Sequence, residues 1–140
     1  MKGIYCLVLC LKIKKTIKIG KKLGKTTFNK GYYVYVGSAM NSLNSRINRH
    51  LSDEKKLHWH IDYLLKESEV ADVIYAETTK KLECDLSNCL SRQTFGIPDF
   101  GCSDCNCKSH LYYFKNKNDA IESIKEAYNS IALDWNYFRI

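Results

Sequence analysis

Proline is nearly missing from this chain, with Pro98 the single example in 140 residues. With 45% apolar residues beside it, that scarcity excludes a disordered or low-complexity protein and predicts one packed domain over 1–140. Long hydrophobic runs are also missing. The apolar run Ile4 to Leu11 is too short to span a membrane, lacks a small-residue cleavage site and leads directly into lysines. No secretory signal and no membrane contact are therefore expected, and the predicted location is cytoplasmic. There, seven cysteines stay mostly reduced; an odd count argues against a disulfide framework and leaves metal binding or buried thiols. No internal repeat or flexible linker breaks the chain.

Acidic residues are absent from one long stretch. Between Lys12 and Lys30 stand eight lysines (12, 14, 15, 18, 21, 22, 25 and 30) and no Asp or Glu, within a formal net charge of +7. A one-signed segment suits a polyanion. It equally suits a solvated, lysine-rich surface. Lys21, Lys22 and Lys25 are phosphate contacts on the first reading and surface solvation on the second.

The periodicity predicts an α+β fold: a small, mostly antiparallel sheet flanked by helices, with an added N-terminal hairpin and a C-terminal extension. Strands are expected at Gly3 to Leu11, Thr16 to Ile19, Gly31 to Ser38, Val70 to Tyr75 and Leu111 to Phe114, with a basic loop over Gly20 to Gly31. A helix capped by Asn41 or Ser42 carries the apolar stripe Leu43, Ile47 and Leu51. That stripe leaves Arg46, Arg49 and His50 to its flank and outer face. Further helices are expected at His58 to Glu67, about Thr79 to Ser91, and from Asn118 or Asp119 onward, where Asp119 and Glu122 resemble a capping box. The aromatic tail, Trp135 to Ile140, is expected to dock.

The region from Gly37 to His50 carries the first chemical signal. A tyrosine-rich strand, Tyr32 to Gly37, runs through a Gly-Ser turn into a basic helix on which Arg46 and His50 lie one turn apart. Such a helix is equipped to grip a phosphate. Gly3-Ile4-Tyr5, Tyr35-Val36-Gly37, Leu43-x-x-Arg46-x-x-x-His50 and Glu83 on a later helix together resemble the GIY-YIG nuclease superfamily. The similarity is greatest to a small archaeal branch in which Tyr35 to Ala39, His58 to Leu64 and a Cys-rich Ser103 to Cys105 segment have counterparts. The superfamily-like core covers about 1–91, and 92–140 forms the Cys-rich loop, strand and helix extension.

The resemblance implies a metal-dependent endonuclease that hydrolyses phosphodiester bonds in nucleic acid, DNA in the first instance. Tyr5 would act as general base or position the attacking water, with Tyr35 close to the same water. Arg46 would bind the scissile phosphate, and His50 would hydrogen-bond a catalytic tyrosine or assist proton transfer. Glu83 would hold one divalent cation, magnesium by preference. Independent chemistry agrees, because hydrolysis needs a deprotonated nucleophile, stabilised anionic charge and a helped leaving oxygen. A tyrosine of ordinary pKa about 10 is a weak base at neutrality, so nearby cations are expected to lower it. The sequence departs from the pattern in the 29 residues, 6 to 34, between the two tyrosines, which fit an added hairpin. The alternative is a nucleic-acid-binding or adaptor module on the same scaffold, with the lysine stretch carrying the function and no cleavage. Strands favour aromatics, so both tyrosines would also suit a core.

Two further groups stand out. His58, His60 and Asp62 invite a metal reading, but the histidine spacing is poor for one ion on a helix, which favours structural or substrate contacts. Cys102, Cys105, Cys107 and His110 offer four zinc-type ligands, tightly spaced for a familiar module. Buried thiols, with Asp104 and His110 hydrogen-bonding, are the favoured reading, and a zinc site that recruits Cys84 is the other. Cys6 and Cys10 point the same way from one strand and read as core.

Overall fold

The structure, a computed structural model, describes residues 1–102 and 107–140. It is α+β. Five antiparallel strands form the main sheet in the order β6-β4-β1-β5-β7, and β2 and β3 form a separate two-stranded sheet. The central strand β1 (Gly3–Leu11) pairs with β4 (Gly31–Ala39) on one side and β5 (Glu69–Glu77) on the other. Its near-continuous apolar sequence reflects burial on both faces. Ile4, Cys6 and Val8 point into a core completed by α4 (Glu83–Ser91) and α5 (Lys117–Ser130). Leu7, Leu9 and Leu11 point into a second core with α2 (Leu43–Leu51) and α3 (His60–Leu65). Each such aliphatic side chain contributes about 1.5–3 kcal/mol through burial.

The segment expected to be a basic loop is largely ordered. β2 (Lys15–Ile19), the one-turn α1 (Gly20–Leu23) and β3 (Gly24–Phe28) make a hairpin whose strands pair with each other and not with the main sheet. Ile17, Ile19 and Phe28 bury their side chains in the second core, which anchors the hairpin there. The insertion therefore leaves β1 and β4 adjacent. Lys12 and Lys15 reach Glu69 at 3.1 Å and Glu67 at 3.2 Å, acids remote in sequence. The other six lysines have no ion pair among the described residues.

Both edges of the main sheet come from the C-terminal part of the chain. β6 (Leu111–Phe114) pairs with β4, and β7 (Asn136–Tyr137) pairs with β5, so the aromatic tail is docked. Three helix starts differ from expectation. α3 begins at His60 and not at His58, because the Asp62 carboxylate accepts the His58 and Trp59 N–H groups ahead of it. α4 begins at Glu83, because the Lys80 N–H bonds Thr78 Oγ1 and the Leu82 N–H bonds the Lys80 carbonyl, holding 78–82 in a turn. α5 is capped by Asn116, which accepts the Asp119 N–H at 2.9 Å and donates to its carboxylate at 2.9 Å. Among the described residues, no helix is long and apolar enough to cross a membrane.

Candidate active site

Tyr5 stands opposite Gly37 in the β1–β4 register, and Tyr35 stands opposite Leu7, two positions along on the same face. The ring of Tyr5 lies over Gly37. A Cβ there would sit 2.4 Å from Tyr5 Cζ, so only glycine admits the tyrosine. Gly3 is constrained in the same way, since a Cβ would fall 2.2 Å from the Ala76 carbonyl oxygen. The two motif glycines are thus close-approach positions, one under the catalytic candidate and one beside strand β5.

After β4 the chain turns, and Ser42 caps α2 by accepting the Ser45 N–H at 3.2 Å. Leu43 and Ile47 seat the helix on the second core. His50 belongs to the same stripe, three residues after Ile47, and only 2% of it is exposed. This corrects its expected place on the outer face: the inward stripe runs Leu43, Ile47, His50, with Leu51 half-buried beside it. The imidazole packs among Tyr5, Tyr35 and Trp59, with ring centroids 5.4, 6.1 and 5.8 Å away. Its Nε2 lies 2.7 Å from the Tyr5 hydroxyl, so one proton lies between them. Among the described residues, Nδ1 has no partner.

Burial sets the protonation of this group. It drives the Tyr5 hydroxyl well above the ordinary tyrosine pKa, against a smaller opposing effect of Arg46. Tyr35 is raised in the same way, with Tyr5, Glu83 and Asp62 adding to burial. Burial lowers His50 to about 3, against the pull of Asp62 and with help from Arg49, Arg46 and Lys55. Arg46 therefore does not bring Tyr5 toward neutrality, as the sequence suggested. In the folded protein at neutral pH, the pair is a phenol and a neutral imidazole.

Arg46 and Arg49, one turn apart on α2, both stack on Trp59, with their Cζ atoms 4.6 and 4.2 Å from the ring centroid. Their remaining contacts differ. Arg49 makes a two-pronged pair with Asp62, at 2.9 and 3.0 Å, and reaches the Lys56 carbonyl at 3.1 Å. Asp62 is fully buried and also accepts the backbone N–H groups of His58 and Trp59 at 2.9 Å each. Burial favours its neutral form, but these hydrogen bonds, led by Arg49, hold it below the ordinary carboxylate range. Asp62 thus pairs with Arg49 and orders the start of α3. Arg46 gives one Nη1 donor to the Ser38 carbonyl at 3.1 Å, lies against the Tyr5 hydroxyl closely enough to oppose its rise, and borders open space beyond them.

That space is a cleft of about 530 Å³ lined by Tyr5, Tyr35, Arg46 and Glu83, among others. His50 stands behind it, joined through Tyr5. Glu83 is half-buried at the first residue of α4, where a carboxylate suits the helix dipole. His58, Trp59, His60 and His110 complete the walls. The Gly101 N–H donates to His60 Nδ1 at 2.9 Å and ties the loop after Phe100 to α3. Trp59 and His110 were not singled out as parts of this site by the sequence. The unusual His-Trp-His run was the available sign for Trp59, and nothing local marked His110 as a cleft wall. Lys21, Lys22 and Lys25 lie on the hairpin and outside the cleft lining. Lys22 is near enough to assist burial in lowering His60.

Two sets of residues could hold metal. Glu83 offers a single hard oxygen donor beside a cleft roomy enough for a hydrated ion and a phosphate, which fits magnesium. A soft set lies next to it, where Cys84 of the same helix turn meets Cys107 and His110 from the segment before β6, with the ligand atoms of all three within 4.8 Å of one another. Cys102 is not part of this group; its Sγ donates to the Phe100 carbonyl at 3.4 Å. Cys105 and Asp104 lie outside the described residues.

Neither a curated protein nor a solved structure matches this chain. One family model does, that of a domain of unknown function, DUF123, over residues 4–133. The matched span takes in both tyrosines, α2, Glu83, the cysteine-rich segment and α5. The chain therefore belongs to the DUF123 family.

Proposed function

We propose that this protein is a metal-dependent endonuclease of the GIY-YIG type, hydrolysing phosphodiester bonds in nucleic acid, with DNA as the first substrate to try. One observation carries the reading: Tyr5, Tyr35, Arg46 and Glu83, from four separate elements, line one polar cleft. The β1–β4 register alone brings the two tyrosines together, but Arg46 and Glu83 join them from two separate helices. The motif resemblance adds to this reading.

A phosphate in the cleft meets the Arg46 guanidinium, whose planar fork binds two non-bridging oxygens and stabilises the charge that grows as phosphorus is attacked. A water between Tyr5 and Tyr35 is the nucleophile. Tyr5 Oη, held in direction by its 2.7 Å hydrogen bond to the neutral His50 Nε2, orients this water for attack, and the proton the water loses passes to solvent in the cleft. The high pKa of Tyr5 suits this positioning role, since the phenol stays a phenol and no free phenolate is needed. Glu83 holds the divalent cation, which when bound supplies positive charge for the phosphate and the leaving oxygen.

Purified protein is incubated with supercoiled plasmid DNA and, separately, with RNA, in magnesium and in chelator. Magnesium-dependent nicking that is lost in Arg46→Ala and in Glu83→Ala, with circular dichroism unchanged, is the expected result. Magnesium-dependent cutting retained by either variant overturns the assignment. Salt-sensitive binding with no cutting in any divalent metal selects the non-catalytic binding module instead.

A further inference from the structure

We propose that Cys84, Cys107 and His110 form a zinc site that fastens the segment before β6 to the first turn of α4. The three residues arrive from two separate parts of the chain. Cys84 is the second residue of α4, while Cys107 and His110 lie 23 and 26 positions later, just ahead of β6. Their ligand atoms nevertheless gather within 4.8 Å of one another. A tetrahedral zinc with Zn–S about 2.3 Å and Zn–N about 2.0 Å sets ligand atoms roughly 3.5–3.8 Å apart. Closure on an ion needs a contraction of about 1.3 Å or less, which side-chain rotation supplies.

The donor set selects the metal. Two thiolates and an imidazole are soft to borderline ligands, matching zinc and not magnesium or calcium. Each cysteine loses its proton to solvent as it ligates, so two thiolates neutralise the dication and a half-buried site carries no net charge. The fourth position belongs to water or one more donor.

The position gives the site its consequence. The ligand Cys84 directly follows Glu83, and the ligand His110 is also a wall of the cleft. His110 is itself held in the sheet, its carbonyl accepting the Val36 N–H at 2.9 Å and its N–H donating to the Phe100 carbonyl at 2.9 Å. A metal here would join α4 to the end of β4 and set where the Glu83 carboxylate stands. The zinc assignment does not depend on catalysis.

The test measures metal in the full chain, purified reduced from zinc-supplemented medium. About one zinc per chain is expected, falling below about a tenth in Cys84→Ser, in Cys107→Ser and in His110→Ala, and unchanged in Cys10→Ser. Cobalt substitution in the wild-type protein supplies a readout independent of variant folding. The expected spectrum has thiolate-to-cobalt charge transfer and the intense visible bands of a tetrahedral ion. A metal-free wild-type protein, octahedral cobalt without thiolate bands, or full zinc content in the three variants overturns the site. Loss of nicking with zinc intact would count against the endonuclease reading and leave this one standing.

Discussion

The hydroxyl of Tyr5 and Nε2 of His50 lie 2.7 Å apart, across 45 residues of sequence, and both residues are almost fully buried. The bond unites a strand of the main sheet with the helix that also carries Arg46. Tyr5→Phe keeps the ring over Gly37 and removes only the hydroxyl. Its expected cost in stability is about 1 kcal/mol, against a loss of cleavage of about 10²-fold from a misplaced water. Thermal unfolding and single-turnover cleavage measure the two separately. Cleavage at the wild-type rate would remove Tyr5 from the chemistry.

His50 also makes stability depend on pH. Its folded pKa is about 3 and its unfolded value about 6.5, so below pH 6.5 the unfolded chain binds a proton that the folded chain refuses. Stability therefore falls as pH drops from 6.5 toward 3, by up to about 1.4 kcal/mol per pH unit. His50→Gln should flatten that slope while lowering stability at neutral pH. Urea unfolding at several pH values checks it, and equal slopes in both proteins would refute the buried neutral imidazole.

Arg46 and Arg49 should separate cleanly. Arg49→Ala leaves the Asp62 carboxylate buried with only two backbone donors, at an expected cost of about 3 kcal/mol. Arg46→Ala should cost about 1 kcal/mol, from one hydrogen bond and a stacked cation, yet abolish cleavage. The Arg49 penalty should shrink in acid, because Asp62 has a depressed pKa and its stabilisation disappears as pH falls through that value. Denaturant midpoints at neutral and acid pH test this. A stable Arg49→Ala protein would contradict the clamp.

The hairpin lysines predict a uniform electrostatic effect. Replacing Lys21, Lys22 and Lys25 together by Ala should weaken binding to DNA of any sequence. It should also flatten the plot of log affinity against log salt by about 0.9 for each phosphate that the variant no longer neutralises. Fluorescence anisotropy across a salt series reads both. An unchanged slope would show these lysines to be solvation alone.

Much of the fold was legible because its signals are local. The apolar alternation of β4, the Ser42 cap and the Leu43–Ile47 spacing each act within a few residues, and each element formed where they stand. Boundaries failed where a turn or cap competed: the Thr78 turn delayed α4, and Asn116 took the capping role expected two or three residues later. An added hairpin was expected with Thr16 to Ile19 as a strand, but its second strand lay inside the expected basic loop, where Phe28 alone was too little apolar signal to mark β3 without a core to receive it.

By itself, the sequence determined the main strands and helices, though not α1, β3 or β7, their order, and the motif residues that belong together: Tyr5, Tyr35, Arg46, His50 and Glu83. Their chemistry was decided by tertiary structure, because protonation follows burial and burial is set by residues distant along the chain. The same enclosure made His50 neutral and kept Tyr5 a phenol. It set Arg49 against Asp62, left Arg46 facing the cleft, and brought Cys84 to Cys107 and His110. Spacing along a chain defines a helix face, but which groups share a dry pocket is settled only when remote segments pack.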